Sequence, residues 1–509
     1  MTDQHRVLVV GSGPSGATAA LKLLEQGIPV TLLEAGLQFA GGLVVRAFGR
    51  NLFRKWAGAE PRYSYVAAAD PATQWHSALT PGGLSNYWTG AVPRFAPDDF
   101  FEGARLHERY RWPLAYADLA PYYTYAERLL GVVGEQRGVP QLPHAEALVQ
   151  QRRLPRAWQH VADQAERHGQ GLVYAPIADG PNWLVRRSGV AFNSYERIVS
   201  RLGRFPHFRL RLGAHVQRLR WNGALGRVDG VEILDRTTGF QEHLSADAVV
   251  VAAGPIASPK LLLQSVSDDF PLGLGNRHGV LGHYLHDHPK DWCVLTLDRP
   301  LPRLDQPLHL TRAPYAESSP LMGAAITIGP LEHWDRILSF AQVGTHRFGL
   351  VTFATMLPDE RNFVGLDADR RDEFGMPLTT IHMRFAPEVA ETVAASHMHL
   401  QSILEGAGIG SNLECPLDRL VPGAAAHYGG AVRMHASARY GMLDGWNRLH
   451  QVANVAVVDA SSFTTGVEKN PTLTAMALAA RAADRLARDM RAGALTRSGQ
   501  GTYAVSALR

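Results

Sequence analysis

The chain has 509 residues, 46% hydrophobic and 19% charged, enough for two or more structural units and incompatible with a disordered polymer. Its 51 basic and 47 acidic side chains leave a formal charge of +4, too thin an excess over this length to argue for nucleic acid. The only cysteines, Cys293 and Cys415, cannot build a disulfide framework or a four-ligand zinc site and read as two buried thiols in a reducing compartment.

Arg6–Val10 (RVLVV) is a continuous apolar run of strand length, as expected for a strand covered on both faces. It starts so early that no signal peptide fits ahead of it. No apolar run approaches the roughly 18 residues that span a bilayer, so a cytoplasmic protein without a membrane span is expected. Gly11-Ser12-Gly13-Pro14-Ser15-Gly16 follows, then a helical face of Ala17, Ala20, Leu21 and Leu24, a stop at Gly27, and a strand Val30–Leu33 closing on Glu34. Strand, glycine turn, helix, strand and acid in this order predict a dinucleotide-binding βαβ unit. Gly11 permits the tight turn, Gly13 lets backbone approach a pyrophosphate, and Gly16 lets helix pack on strand. The pyrophosphate then meets unpaired N–H groups at the helix N-terminus, with Ser12 and Ser15 in the same turn, and Glu34 is placed to accept from a ribose diol. The fingerprint alone leaves FAD or NAD open.

A glycine- and aromatic-rich stretch follows at Thr80–Arg94, then a tyrosine-rich helix at Tyr116–Leu130. Residues 135–190 lack clear periodicity. Strand patterns return at Phe208–Leu219, Gly230–Leu234 and Ala248–Ala252, and residues 296–424 read as loop-rich. Val455–Val458 is a short apolar strand and Thr472–Arg488 a helix with Leu473, Met476, Ala477, Ala480 and Leu486 on one face; 491–509 reads as a tail.

Several segments, in order along most of the chain, resemble the glucose–methanol–choline (GMC) oxidoreductases, flavoproteins that oxidise alcohols. They are Gly82-Gly83-Leu84-Ser85-Asn86-Tyr87-Trp88-Thr89-Gly90; Trp112-Pro113 through Tyr122-Tyr123; Gly254-Pro255-Ile256-Ala257-Ser258-Pro259; Leu281-Gly282-His283-Tyr284-Leu285-His286-Asp287-His288-Pro289; His427-Tyr428-Gly429-Gly430; and Val458-Asp459-Ala460-Ser461 through Asn470-Pro471-Thr472. The second and the glycine loop are similar to the pyranose-oxidase branch. The resemblance implies an α/β fold: a doubly wound Rossmann-type FAD-binding domain and a discontinuous α+β substrate-binding domain. The FAD unit would comprise 1–134, 191–295 and 425–490, with 135–190 as a connecting segment, 296–424 as the substrate domain and 491–509 as a tail. It adds Gly82, Gly83, Ser85, Asn86, Tyr87, Trp88, Val216, Ala253, Asp459, Ala460, Pro471 and Thr472 to the cofactor-binding residues. Tyr87 stands where pyranose oxidases carry a flavin-linked histidine, which implies non-covalent FAD.

Removing a hydroxyl proton requires a base with a pKa near the working pH, which favours histidine, and the hydride needs an electron sink such as a flavin. The resemblance implies that His427 is the base, with hydride passing to flavin N5, and that Asn470 holds the same oxygen. Against this, His427 could be one of 22 structural histidines, and Asn470 before Pro471 is also an ordinary helix start. That helix start would favour negative charge on a reduced flavin. His286, Asp287 and His288 offer no third ligand at sensible spacing, so no metal is expected; Arg433 is expected in a structural ion pair, and Tyr122, Tyr123 and Tyr125 in helix packing. The expected substrate is a sugar or glycoside, oxidised at a secondary hydroxyl (C2 or C3), with oxygen or a quinone-type acceptor and with oligomerisation open. The alternatives are tailoring of an amino-sugar or other natural product, a lyase on the same fold, a subunit docked on a membrane cytochrome, and a non-catalytic scaffold.

Overall fold

The computed structural model describes residues 6–37, 66–68, 73–86, 88–178, 192–304, 306–315, 322–330, 345–415 and 420–496. Its first layer is built on β1 (Val7–Val10), whose four residues are all buried, because parallel strands flank it on both sides and helix Pro14–Glu25 and the antiparallel strands Ala214–Asn222 and Arg227–Asp235 pack against its sheet. β1 pairs in parallel with β2 (Val30–Glu34) on one side and with Ala248–Val251 on the other, in the registers Val9↔Leu32 and Val9↔Val250. The sheet continues through Phe208–Leu212 beyond β2 and through Val452–Val457 and Arg448–Leu449 beyond Ala248–Val251. One sheet therefore draws strands from residues 7 to 457.

The helix α1 (Pro14–Glu25) follows the glycine turn, with proline at its first position where no N–H is needed. It lies against the C-terminal helix Thr472–Arg491, whose stripe of Ala475, Ala477, Ala479, Ala482 and Ala483 is buried. Small side chains let the two helices approach closely. Helix Tyr116–Leu130 packs on the other flank of the C-terminal helix and stops at Gly131, which takes the left-handed conformation (φ 66°). Its tyrosines are anchored: Tyr123 reaches Thr474, Tyr122 Asp484 and Tyr125 Glu25.

The second layer is a six-stranded sheet in the order Ser411–Glu414, Lys290–Leu301, Thr345–Ala354, Ala324–Pro330, Leu308–Leu310 and Leu172–Tyr174. Helices Arg156–Arg167 and Glu388–Gly406 cover one face and bury Trp158, Phe348, Leu350, Leu400 and Ile403 in a second core. The sheet starts at Lys290 and takes Leu172–Tyr174 from the stretch without periodicity.

The cysteines require a correction. They are not two free thiols: Cys293 and Cys415 are disulfide-bonded across 122 residues. The reason is register, since Val294 pairs with Glu414 in the antiparallel ladder and the next step sets Cys293 beside Cys415. Among the described residues no helix is long and apolar enough to cross a membrane.

Candidate active site

The carboxyl ends of β1, Ala248–Val251 and Val452–Val457 meet at one edge of the first sheet, where open α/β sheets bind ligands. Gly11 (φ +99°) leaves no room for a side chain: a Cβ there would fall 2.5 Å from the Ala252 carbonyl oxygen. On Gly16 it would fall 2.0 Å from the Gly11 carbonyl oxygen, whereas a Cβ on Gly13 would meet nothing within 4 Å. Two glycines are thus required by packing and the third opens onto free space. Gly16→Ala is expected to strip most of the FAD from the purified protein, read as the ratio of flavin to protein absorbance; full loading would contradict that reading.

Glu34 is buried and accepts from the Ser12 N–H (3.0 Å), the Ser12 hydroxyl (2.5 Å) and the Gly36 N–H (2.6 Å). Burial raises its pKa against those bonds. A carboxylate has about four acceptor sites, so Glu34 first locks the glycine turn and retains about one for a ribose hydroxyl. The loop carrying Gly82, Gly83, Ser85, Asn86 and Trp88 is stitched to the same turn. Gly82 N–H donates to the Ser12 hydroxyl (2.9 Å), and the nearest atom to a Cβ on Gly83 would be the Gly13 Cα, 3.8 Å away. Ser194 donates to the Ser12 carbonyl, Asn193 to Asn86, and Trp88 to the Phe192 carbonyl. Tyr87 lies outside the described residues.

Asp459 is buried, accepting from the Ser258 hydroxyl (2.6 Å), Gly254 N–H and Ser461 N–H. It fastens the turn at Ala253 to the one at Ala460, so its carboxylate shapes the cleft from behind. Ser15 is buried in the first turn of α1, and Val216 on the adjoining antiparallel strand Ala214–Asn222. Neither α1, capped at Gly13, nor the helix preceded by Pro471 has a side-chain cap, and Gly13, Pro471 and Thr472 are only half-buried. Two helix N-termini with unpaired N–H groups therefore open near the glycine loops. Openings, donors and uncapped N-termini fit a dinucleotide such as FAD.

His427 Nε2 lies 3.0 Å from the Asn470 amide nitrogen, and its Nδ1 lies 2.9 Å from Nδ1 of His288. His288 also hydrogen-bonds the Val467 backbone in the sense that raises its pKa, as an accepting carbonyl does, and with Nδ1 facing His427 that bond falls to Nε2. A carbonyl only accepts, so that nitrogen carries the proton and Nδ1 of His288 is bare. It therefore accepts from His427 Nδ1–H, which leaves His427 Nε2 unprotonated and facing Asn470. Burial, then the neighbouring His288 and Lys290, hold the His427 pKa well below its ordinary value, and burial holds His288 down at about 4. The imidazole is neutral at neutral pH, the state a base requires. Backbone N–H groups of His427 (2.9 Å) and Ala425 donate to the buried Asp287, which fixes the loop.

A model of the FAD dependent oxidoreductases matches residues 6–374, and one of the GMC oxidoreductases matches 358–479. The chain belongs to the FAD dependent oxidoreductases, and its C-terminal part is similar to the GMC oxidoreductases. It is therefore an FAD-dependent oxidoreductase acting on alcohols. Among its relatives, 2-methyl-1,2-propanediol dehydrogenase of Mycolicibacterium austroafricanum is 27% identical, covering 96% of both chains. The 6'''-hydroxyparomomycin C oxidase of Streptomyces lividus is 28% identical, over 96% of this chain and 92% of its own. The crystal structure of pyridoxine 4-oxidase from Mesorbium loti superposes with a TM-score of 0.64 over 96% of this chain and 99% of its own, at 17% identity, a likeness of fold.

The loop that carries Asn470 stands on a buried charge cluster that the sequence did not reveal. Lys469 Nζ contacts Asp99 (2.8 Å) and Glu468 (2.6 Å), all with fully buried side chains, and Arg312 lies 3.7 Å from Glu468 while resting over the Tyr315 ring. Desolvation pushes the Glu468 carboxyl up, but Lys469 and Arg312 outweigh it and hold it down at about 2. Arg433 forms no ion pair among the described residues, contrary to expectation. It is buried over the Tyr284 ring, 4.3 Å from its centre, and donates to the Arg109 carbonyl. Stacking on an aromatic face satisfies the guanidinium where no carboxylate reaches it. His288 was expected only as part of a loop motif; its position two residues before an apolar strand carried no signal for a partner 139 residues away.

Proposed function

We propose that this enzyme oxidises a secondary hydroxyl, at C2 or C3, of a sugar or glycoside, with His427 as base and Asn470 as the group that positions the carbinol oxygen. Bound FAD supplies the hydride acceptor. A hydroxyl placed beside both side chains donates to His427 Nε2 and accepts from the Asn470 amide, which orients its carbon. The proton moves onto Nε2 while His427 Nδ1–H stays shared with His288. The observation that carries this reading is the Val467–His288–His427–Asn470 chain of hydrogen bonds, because it leaves one defined nitrogen bare.

The surroundings support a carbohydrate. The Phe353 ring lies 4.9 Å from His427 and offers an apolar wall for a sugar's C–H face, while Lys290 and His76 add polar groups nearby. A second reading, an amino-sugar, is favoured by the relative named for 6'''-hydroxyparomomycin C. Anaerobic mixing of the holoenzyme with free sugars, glycosides and amino-sugars distinguishes them through bleaching of the flavin, and air or a quinone then identifies the acceptor. Consumption of substrate with an unbleached flavin would replace oxidation by lyase chemistry.

His288→Ala is expected to lower the rate of flavin reduction by part of the roughly 10²–10⁴-fold that a general base supplies, with KM little changed. His288→Gln, whose amide oxygen can accept from His427 Nδ1–H, should recover some of that rate. Equal loss in both variants would contradict the tautomer assignment.

A further inference from the structure

Beyond the flavin site, the described residues contain a cluster the reaction does not use. Asp291 and Cys293 project from the same side of strand Lys290–Leu301, His397 comes from helix Glu388–Gly406, and Cys415 follows strand Ser411–Glu414; one ligand atom from each lies within 4.8 Å of all the others. Cys293 is buried, Asp291 and His397 are 8% exposed, and Cys415 is exposed, which leaves one side open to solvent. The His397 ring lies against the disulfide, with Nδ1 3.9 Å from Cys415 Sγ and Nε2 4.0 Å from Cys293 Sγ. Asp291 Oδ2 is 3.5 Å from Cys293 Sγ and 4.0 Å from His397 Nε2. The buried Thr352 hydroxyl, 2.8 Å from His397 Nε2, orients the ring.

A disulfide needs neither the imidazole nor the carboxylate. We propose that the Cys293–Cys415 disulfide is one of two states of this site, the other being a Cys–Cys–His–Asp centre for a thiophilic divalent cation of the zinc class. Two sulfurs, one nitrogen and one oxygen form a closed tetrahedral set for such a cation. With metal–ligand bonds of about 2.0–2.3 Å, the edges of that tetrahedron are about 3.3–3.8 Å. With His397 Nδ1 as the ligand, the Nδ1–Cys415 Sγ separation of 3.9 Å and the Asp291 Oδ2–Cys293 Sγ separation of 3.5 Å already approach those edges, and two reduced sulfurs must separate to about the same distance. Thr352, bonded to Nε2, is the kind of outer partner that fixes a histidine ligating through Nδ1.

The change of state balances with an external dithiol as reductant. Its two sulfurs become a disulfide, the Cys293–Cys415 bond breaks, and both cysteines leave as thiols. The cation then displaces the two thiol protons to solvent. The strand that carries Asp291 and Cys293 begins two residues after His288, so the centre would brace the same strand end that the disulfide now ties to Ser411–Glu414.

The test uses the FAD-loaded enzyme. Protein treated with dithiothreitol and desalted without oxygen is given one equivalent of Zn2+ or Co2+. The expected result is one tightly held metal per chain by elemental analysis, loss of two titratable thiols on metal addition, and a cobalt ligand-field absorption to the red of the flavin band. Untreated enzyme should hold none. His397→Ala, which leaves both cysteines in place, should weaken metal retention about 10- to 100-fold, as should Asp291→Asn to a smaller degree. A disulfide that resists dithiothreitol in the folded enzyme, reduced protein without stoichiometric metal, or retention unchanged in His397→Ala would each overturn the proposal and leave a structural disulfide.

Discussion

Replacing His427 by alanine is expected to slow anaerobic flavin reduction by about 10²–10⁴-fold while the protein keeps its fold and its FAD. The side chain is half-buried at the cleft and its polar contacts run to His288 and Asn470, so its loss removes no core packing of consequence. Its protonation dictates a pH profile as well. The base must be neutral, and burial together with His288 and Lys290 keeps its pKa well below the usual histidine value. Acidification through that lowered pKa is therefore expected to abolish the rate, and from neutral pH upward the rate should be flat. Rapid-mixing absorbance at the flavin band measures both effects. A variant that reduces its flavin at the wild-type rate, or a wild-type rate still climbing steeply above neutrality, would remove His427 from the role of base.

Lys469→Met is expected to give the largest loss of stability, on the order of 3–5 kcal/mol, the usual cost of deleting one partner of a buried ion pair. The substitution keeps much of the side chain's length but leaves Asp99 and Glu468 facing each other with only Arg312 between them, at 3.7–4.0 Å. Two carboxylates fully removed from water cannot both remain charged on those terms. Lys469 also precedes Asn470 directly, so the positioning amide should lose its fixed place. Denaturant unfolding monitored by tryptophan fluorescence gives the stability change, and kcat against KM gives the positional one. Lys469→Arg, which keeps the charge, should lose much less of both. A melting temperature unchanged in Lys469→Met would show that the cluster is neutral in the folded protein.

Much of the first layer was readable from local pattern. The run Arg6–Val10, the glycine turn and the apolar face of the following helix are decided by residues adjacent in sequence, and the helix at Tyr116–Leu130 is where its periodicity places it. Helix Arg156–Arg167 went unread, although Trp158, Val161, Ala162 and Ala165 make an apolar stripe, because charged and polar residues outnumber that stripe and no capping side chain marks its start. The short strands of the second sheet were equally silent: three-residue segments such as Leu172–Tyr174 become strands only when a partner presents its ladder.

The amino-acid sequence by itself determined the dinucleotide turn, which rests on residue types in fixed order, and its resemblance to a known family singled out His427 and Asn470, whose side chains the structure places 3.0 Å apart. Only the tertiary structure decided which nitrogen of His427 is bare, that Lys469 contacts two buried acids, and that Cys293 meets Cys415. Those outcomes depend on hydrogen bonds and ion pairs between residues up to 370 positions apart. Such contacts are created by strand register and helix packing, and no local pattern encodes them.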